Sequence, residues 1–266
     1  MSAVPATTVA NLRDLGAIPL SGGRVVRPGL LLRSGQLDRL DPAADPAVAA
    51  LDVRTVVDFR TEAERRARPD RLPTGARSLV ADVLADFLAS GVFPAAARLR
   101  SVLGDPVAAE RELGGGRARA MFADTYRAFV STRSARRAYG AFLHELAEPG
   151  AGAVLFHCTA GKDRTGWAAS VVLSLLGADE ATVEAEYMSV NTAVLQAFAP
   201  LVEGFTAQGG DPELALTVVG VAPEYLAAAF DEMARLHGHV ERYVREGLGV
   251  PDEVVERLRE RLSVQA

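Results

Sequence analysis

The stretch His157-Cys158-Thr159-Ala160-Gly161-Lys162-Asp163-Arg164-Thr165-Gly166 holds the only cysteine and the only lysine of a 266-residue chain whose other basic residues are all arginine. It follows Ala153-Val154-Leu155-Phe156, an apolar run of strand length, and leads into Thr165–Leu176, whose helical character ends at Gly177. A loop between a strand and a helix aims its backbone N–H groups and the positive end of the helix dipole at whatever occupies it, so an anion is favoured there. The same field draws a thiol at the start of the loop from its ordinary pKa of about 8.5 toward the thiolate. Arg164, six residues after Cys158, offers a planar fork suited to a tetrahedral oxyanion. The chemistry this combination suits is attack at phosphorus. Cys158 would form a phosphocysteine while Thr159, Ala160, Gly161, Lys162, Asp163 and Arg164 surround the phosphate. Thr165 is placed to hydrogen-bond the sulfur, and His157 to hold the loop from behind.

Competing readings of the same residues are weaker. Gly161-Lys162 suggests a nucleotide-binding loop, but that pattern needs glycine at position 156 and serine or threonine at 163, where the chain has Phe156 and Asp163. Gly114-Gly115-Gly116 has neither the GxGxxG spacing nor a preceding strand, and reads as a mobile surface loop. His144, His237 and His239 fall on helical patterns or near a turn, where packing or surface roles are the simpler reading. A lone cysteine is commonly a small core hydrophobe, yet one set between a histidine and a polar, glycine-bearing loop does not suit a core. A phosphate- or phosphoinositide-recognition module without turnover is the alternative from a different functional class; Cys158, Arg164 and Thr165 together argue against it.

The elements that must position this loop are legible around it. Residues 11–34 are punctuated by glycine and proline and read as turns and short strands, and a small helical start runs from Asp41 toward Leu51. Val53-Arg54-Thr55-Val56-Val57-Asp58-Phe59 reads as a strand ending in the charged segment 60–68, and residues 77–84 as a second strand. Phe122 to Leu146 carries two helical sets with a break near Ser131–Ser134. The last third reads as helices over 181–199, 224–246 and 251–262, with a hinge or turn across 204–221. The expected fold is a single α/β domain, 1–266, with a helical C-terminal part. One cysteine excludes an internal disulfide framework and a cysteine-rich zinc site. A formal charge of −5 argues against a nucleic-acid footprint. No apolar run approaches the roughly 18 residues of a membrane span, and the N-terminus carries no Sec-type signal pattern. The expectation is a cytoplasmic protein, with export by another route left open.

The loop resembles the Cys-x5-Arg signature of protein tyrosine phosphatases in the expanded form HCxAGKDRTG. Its lysine and aspartate are similar to those of an atypical bacterial branch with triple-specificity and lipid phosphatase activity. Asn11-Leu12-Arg13-Asp14-Leu15-Gly16, Arg27-Pro28-Gly29, Leu32-Arg33-Ser34-Gly35, Val57-Asp58-Phe59-Arg60-Thr61-Glu62, Tyr187-Met188-Ser189-Val190-Asn191 and Gly220-Val221-Ala222-Pro223-Glu224-Tyr225-Leu226 extend the resemblance over most of the chain, with a gap at 85–120. It implies a tyrosine-phosphatase-like central sheet flanked by helices and hydrolysis without cofactor or metal. It also implies phosphotyrosine, phosphoserine or phosphothreonine, and phosphoinositides as substrates. The leaving oxygen needs a proton donor. The family's position for it falls on the loop after the second strand, making Asp82 the first candidate and Asp86 the second, with Asp163 a third inside the loop. A cation at Lys162 would favour a more highly charged substrate. The resemblance further implies that residues 192–236 form a helical lid over the site.

Overall fold

The computed structural model describes residues 2–4, 6–86, 103–150 and 152–266; the notional segment 87–102 within the sequence gap lies outside them. Nine short strands are found among the described residues: β1 Ser2–Ala3, β2 Arg13–Asp14, β3 Pro19–Leu20, β4 Arg24–Val26, β5 Leu31–Ser34, β6 Val53–Asp58, β7 Arg77–Val80, β8 Ala153–His157 and β9 Ser263–Gln265. One sheet has the order β1-β2-β5-β8-β6-β7, and a small second sheet has the order β3-β4-β9. In the large sheet β5, β8, β6 and β7 run parallel, while β1 and β2 add an antiparallel edge.

β8 is the strand that carries the loop, and every one of its residues is buried. A parallel strand covered on both faces needs a continuous apolar run rather than an alternation, which is what Ala153-Val154-Leu155-Phe156 supplies. Its side chains still part by the two-residue period. Val154 and Phe156 join the larger core, together with Val57, Phe59 and Trp167, and Ala153 and Leu155 join the smaller one with Leu32, Val56 and Leu37. The register puts Ser34, His157 and Asp58 side by side at the ends of β5, β8 and β6. The loop after β8 therefore opens at the carboxyl edge of the sheet, between two neighbouring strands, where open α/β sheets commonly bind ligands.

The helices described are α1 Pro46–Ala49, α2 Glu62–Ala67, α3 Pro106–Leu113, α4 Arg117–Ser131, α5 Arg133–Ala147, α6 Asp163–Leu176, α7 Glu180–Met188, α8 Val190–Ala207, α9 Pro212–Val219, α10 Pro223–His237, α11 Val240–Arg242 and α12 Asp252–Leu262, with a π-turn over Tyr243–Gly247. The expected break between the two helical sets is real: Thr132 is extended (φ −73°, ψ 148°) and separates α4 from α5. Other expectations need correction. The segment 204–221 is mostly helical, because α8 runs through Pro200 to Ala207 and α9 starts at Pro212 under an Asp211 cap. The long helix expected over 224–246 stops at His237, where Gly238 takes a left-handed φ of 83°. The three glycines before α4 form a short link between helices, with Gly116 at φ 83° in the N-cap position. β9 was not legible; it forms only because β4 lies beside it.

α10 packs on α4, with Phe122 and Tyr225 stacked at 4.9 Å and Tyr126 6.0 Å from Tyr225. Trp167, fully buried on α6, contacts Phe230 and Tyr243. Among the described residues no single helix is long and apolar enough to cross a membrane. The one bent pair with enough combined length, α9 with α10, turns by 45° and packs Tyr225, Leu226 and Met233 into the core.

Candidate active site

Cys158 begins the loop after β8 and α6 begins at Asp163, so the residues between them curl over the N-terminus of a 14-residue helix. Gly161 makes the tight part of the curl possible. Its φ is 69°, and a Cβ there would lie 2.2 Å from the Ser34 carbonyl oxygen, so no other residue fits without moving β5. Carbonyl groups of the loop are held by residues of the N-terminal segment. Asn11 Nδ2 donates to Ala160 O and Gly161 O at 3.2 Å each, and Arg33 Nη2 donates to Gly161 O at 2.8 Å. Arg33 is itself fixed by Glu186 of α7 at 2.7 Å, with Arg13 3.4 Å from the same carboxylate. The N-terminal pattern 11–16, the pattern 32–35 and α7 thus converge on one task, holding the backbone carbonyls of Ala160 and Gly161 in the loop.

Behind the loop lies a second network. His157 Nε2 is 3.1 Å from Asp70 Oδ2, and its Nδ1 is 3.0 Å from the Cys158 carbonyl oxygen. Arg60 bonds Asp58 through Nε and Nη2 and Asp70 through Nη2, at 2.6–2.9 Å. Burial opposes ionisation of Asp70, but His157 and Arg60 overcome it and hold the carboxyl down at about 2. Asp58, Asp70 and His157 bring ligand-type atoms within 4.8 Å of one another. The Arg60 guanidinium already supplies the positive charge those carboxylates would ask of a metal ion, so the cluster reads as a brace for His157.

Arg164 is clamped from the front by a residue that the sequence reading did not single out. Its Nη1 and Nη2 each donate to a Glu64 carboxylate oxygen at 2.8 Å, with the two side chains 5% and 17% exposed. The remaining contacts are Nη1 to Phe59 O at 3.3 Å and Nη2 to Thr159 Oγ1 at 3.5 Å. Thr159 Oγ1 also donates to Glu64. Burial alone would raise the Glu64 carboxyl, but the charge and hydrogen bonds of Arg164 hold it well below the usual carboxylate range. Burial likewise acts against the Arg164 charge, and Glu64 raises its pKa in spite of it. Glu64 also closes a capping box at the start of α2, accepting from Thr61 N at 2.9 Å while its own N–H donates to Thr61 Oγ1 at 3.3 Å. A signal for it was present in the sequence: Thr61-x-x-Glu64 directly after a strand is the capping-box spacing.

The other expected site residues are placed as follows. Cys158 is 2% exposed and is a free thiol. Thr165 is fully buried, and its hydroxyl has no hydrogen-bond partner among the described residues. Asp163 accepts from Tyr126 OH at 3.1 Å, and Tyr187 OH donates in turn to Tyr126 OH at 2.8 Å. Asp82 lies beyond the end of β7, 4.0 Å from Arg65 and bonded by Leu84 N at 2.9 Å; burial raises its pKa above the ordinary carboxyl value. Asp86 is turned to another use. Its Oδ2 accepts from Ser134 N at 2.6 Å, in the first turn of α5. Lys162 lines the loop's cavity, but its ammonium is bonded to backbone carbonyls of α9 and of Gly220.

That cavity has a volume of about 40 Å³ and is lined by Cys158, Thr159, Ala160, Lys162, Asp163 and Arg164 on one side and by Phe198, Val218 and Val219 on the other. Pockets that hold small ligands are typically about 300–1,000 Å³, so the loop is closed over in this conformation. Of the segment 192–236 expected to cover the site, α8 and α9 contribute Phe198, Val218 and Val219 to the cavity, and α8, α9 and α10 all place residues in the larger core, Val218 and Val219 among them.

A thiol, a curl of amides at a helix N-terminus and a clamped arginine around one small cavity are the parts of a cysteine phosphatase. Comparison with known proteins agrees. The chain is 33% identical to the triple specificity protein phosphatase PtpB of Mycobacterium tuberculosis, over 94% of this chain and 95% of that protein. It is 32% identical to a protein of Cupriavidus necator named as a tyrosine-protein phosphatase, over 91% of this chain and 83% of that one. A tyrosine-protein phosphatase of Nostoc commune is 28% identical over 59% of this chain and 46% of its own length. The model of the tyrosine phosphatase family matches residues 4–264, and the chain belongs to that family.

Proposed function

We propose that this phosphatase hydrolyses phosphotyrosine and, beyond it, phosphoserine, phosphothreonine and phosphoinositides, with Cys158 as nucleophile and Asp82 as proton donor. The observation that supports Cys158 as nucleophile is a cavity lined by both Cys158 and Arg164 at the N-terminus of α6; Asp82 is taken from the family's position for the donor and from its raised pKa. The wider substrate range is supported by the triple-specificity designation of the mycobacterial relative.

In the first step Cys158 Sγ forms a bond to phosphorus as the ester oxygen leaves in line, and Asp82 gives that oxygen a proton. Charge on the equatorial oxygens meets the N–H groups of residues 159–164, the α6 dipole and Arg164, which stand ready before the reaction begins. Glu64, accepting from both Nη1 and Nη2, holds the Arg164 fork in place beside the loop. The raised pKa of Asp82 suits an acid, since a protonated carboxyl is what the step consumes. In the second step water attacks the phosphocysteine, the Asp82 carboxylate takes its proton, and the thiolate leaves, with the Thr165 hydroxyl available to donate to it. The cavity of about 40 Å³ is small beside an ester substrate, so movement of Phe198, Val218 and Val219 would widen the entry to Cys158.

The test is turnover of p-nitrophenyl phosphate by the wild type and by Cys158→Ser, each with and without EDTA. Turnover that survives EDTA and disappears in the variant is the expected result. A wild type that binds phosphate without turnover would instead make the loop a recognition module, and an active Cys158→Ser would remove Cys158 as nucleophile.

A further inference from the structure

At the C-terminal end of α6, away from the loop after β8, a groove of about 560 Å³ opens between α6, α7, α10 and the start of α11. It shares no lining residue with the cavity at Cys158, and its volume lies within the range of pockets that hold small organic ligands. Its wall is apolar: Val183 of α7 and Leu226, Phe230 and Met233 of α10 line it, and Phe230 is left half-buried there. Its rim is acidic. Glu180, Glu184 and Asp231 are exposed around the wall, and no side chain of the three has an ion-pair or hydrogen-bond partner among the described residues. Other surface carboxylates of this chain, such as Glu62, Glu224 and Glu256, are each paired with an arginine. No lysine or arginine lines the groove, and its one imidazole, His239, is 3.1 Å from Glu241.

Trp167, Ser170 and Ser174 recur at the spacing of one helix face, and that face of α6 meets the groove. Ser174 lines it, and Trp167 packs edge-on against Phe230 at 5.2 Å. Ser170, between them, is fully buried, and its hydroxyl has no hydrogen-bond partner among the described residues. A buried hydroxyl without a partner costs free energy, and a polar ligand head seated beside Ser174 would supply one. We propose that this groove is a binding site, separate from the phosphate loop, for a small ligand with an apolar body and an ammonium head, in its simplest form an alkylamine. Phe230, Leu226 and Met233 take the body out of water, while three unpaired carboxylates and the serine hydroxyls favour the cation and disfavour an anion. A ligand resting on Phe230 also bears on Trp167, the only tryptophan of the chain, so its emission reports the groove. The inference holds whether or not the loop after β8 turns over phosphate.

The experiment titrates the full chain, at low salt and below micelle formation, with three probes of one chain length: decylammonium, decanol and decanoate. Tryptophan emission and calorimetry are read together. Decylammonium should bind saturably, shift the Trp167 emission, and bind about tenfold more tightly than decanol; decanoate should bind more weakly than either. The joint change Glu180→Gln, Glu184→Gln and Asp231→Asn alters only exposed side chains. It should weaken decylammonium about tenfold, as expected for several partly screened charge pairs, and leave decanol unchanged. Ala227→Phe, at an exposed position on the wall, fills the groove and should abolish binding of both. Decanol or decanoate binding as tightly as decylammonium would overturn the ammonium head. Saturable heat that leaves the Trp167 emission unmoved, or that survives Ala227→Phe, would place the ligand elsewhere and overturn the site. No saturable binding of any probe, or an emission shift produced by raising the protein concentration alone, would also overturn it, the latter by giving the groove to a second copy of this chain.

Discussion

Replacing Glu64 by glutamine isolates the clamp on Arg164. The substitution keeps the size of the side chain and one carbonyl oxygen, so the capping box with Thr61 can persist. It removes the charge and puts an NH2 group where one of two 2.8 Å acceptors stood, opposite an Arg164 N–H. Hydrogen bonds to a charged group contribute about 1.5–3 kcal/mol each, and removing one partner of a buried ion pair costs about 3–5 kcal/mol in all. Losing one of the two bonds while keeping the other should cost about 2 kcal/mol of unfolding free energy, read from urea melts. The kinetic effect should exceed what that loss alone explains. A guanidinium free to swing by about 1 Å from the transition-state oxygens costs on the order of 100-fold in rate, or about 2.7 kcal/mol. The readout is kcat/KM for p-nitrophenyl phosphate, measured where both proteins are fully folded. Acid supplies an independent check. Glu64 is held below its ordinary value of 4.5, so its stabilisation is fully present above about pH 4.5 and is lost as pH falls toward the folded value. Melts of the wild type should therefore show an acid-side decline that is shallower in Glu64→Gln. A variant with wild-type kcat/KM would refute the clamp, and identical acid slopes would refute the assigned charge state.

Two further substitutions bear on the site. Asp82→Asn should remove the basic-side limb of the pH–rate profile and slow turnover by about 10²–10⁴-fold, whereas Asp86→Ala should keep that limb and lose about 1 kcal/mol of stability through the uncapped start of α5; loss of the limb with Asp86 or Asp163 instead would reassign the proton donor. Gly161→Ala forces a side chain into a φ of 69° and to 2.2 Å from the Ser34 carbonyl oxygen, so urea melts should show about 2–5 kcal/mol of destabilisation. An alanine variant of wild-type stability would mean that the curl can form in another way.

The loop residues were legible because their signal is local. A run of apolar residues, a glycine-bearing polar stretch of fixed length and a helix started by Asp163-Arg164-Thr165 define a strand, a curl and a dipole without reference to the rest of the chain. Their types name the chemistry: a thiolate and a guanidinium six residues apart fit attack on a bound phosphate. The helical break at Thr132 was visible for the same reason, as two apolar stripes that do not share a phase. What failed was decided by partners. The segment 204–221 reads as a hinge from its two glycines and proline, yet Asp211 and Pro212 start a helix there, and that helix finds a resting place on the loop. β9 is three residues with no strand signal of their own, and exists as a partner for β4.

By itself the sequence determined the reaction class, because covalent reactivity and anion recognition reside in residue types at fixed spacing. Tertiary structure alone decided which residues stand beside those types. Glu64, on a helix 94 positions before the loop in its neighbour Cys158, became the partner of Arg164 because β6 lies beside β8 and ends at the same edge. Asp82 and Asp86, the first and second candidates in sequence, lie in different surroundings because of where the chain turns after β7, one toward Arg65 and the other onto α5. Lys162, whose position in the loop suggests a ligand for substrate, is turned onto α9, since a buried ammonium goes to whichever acceptors lie within about 3 Å, and a sequence does not contain that distance.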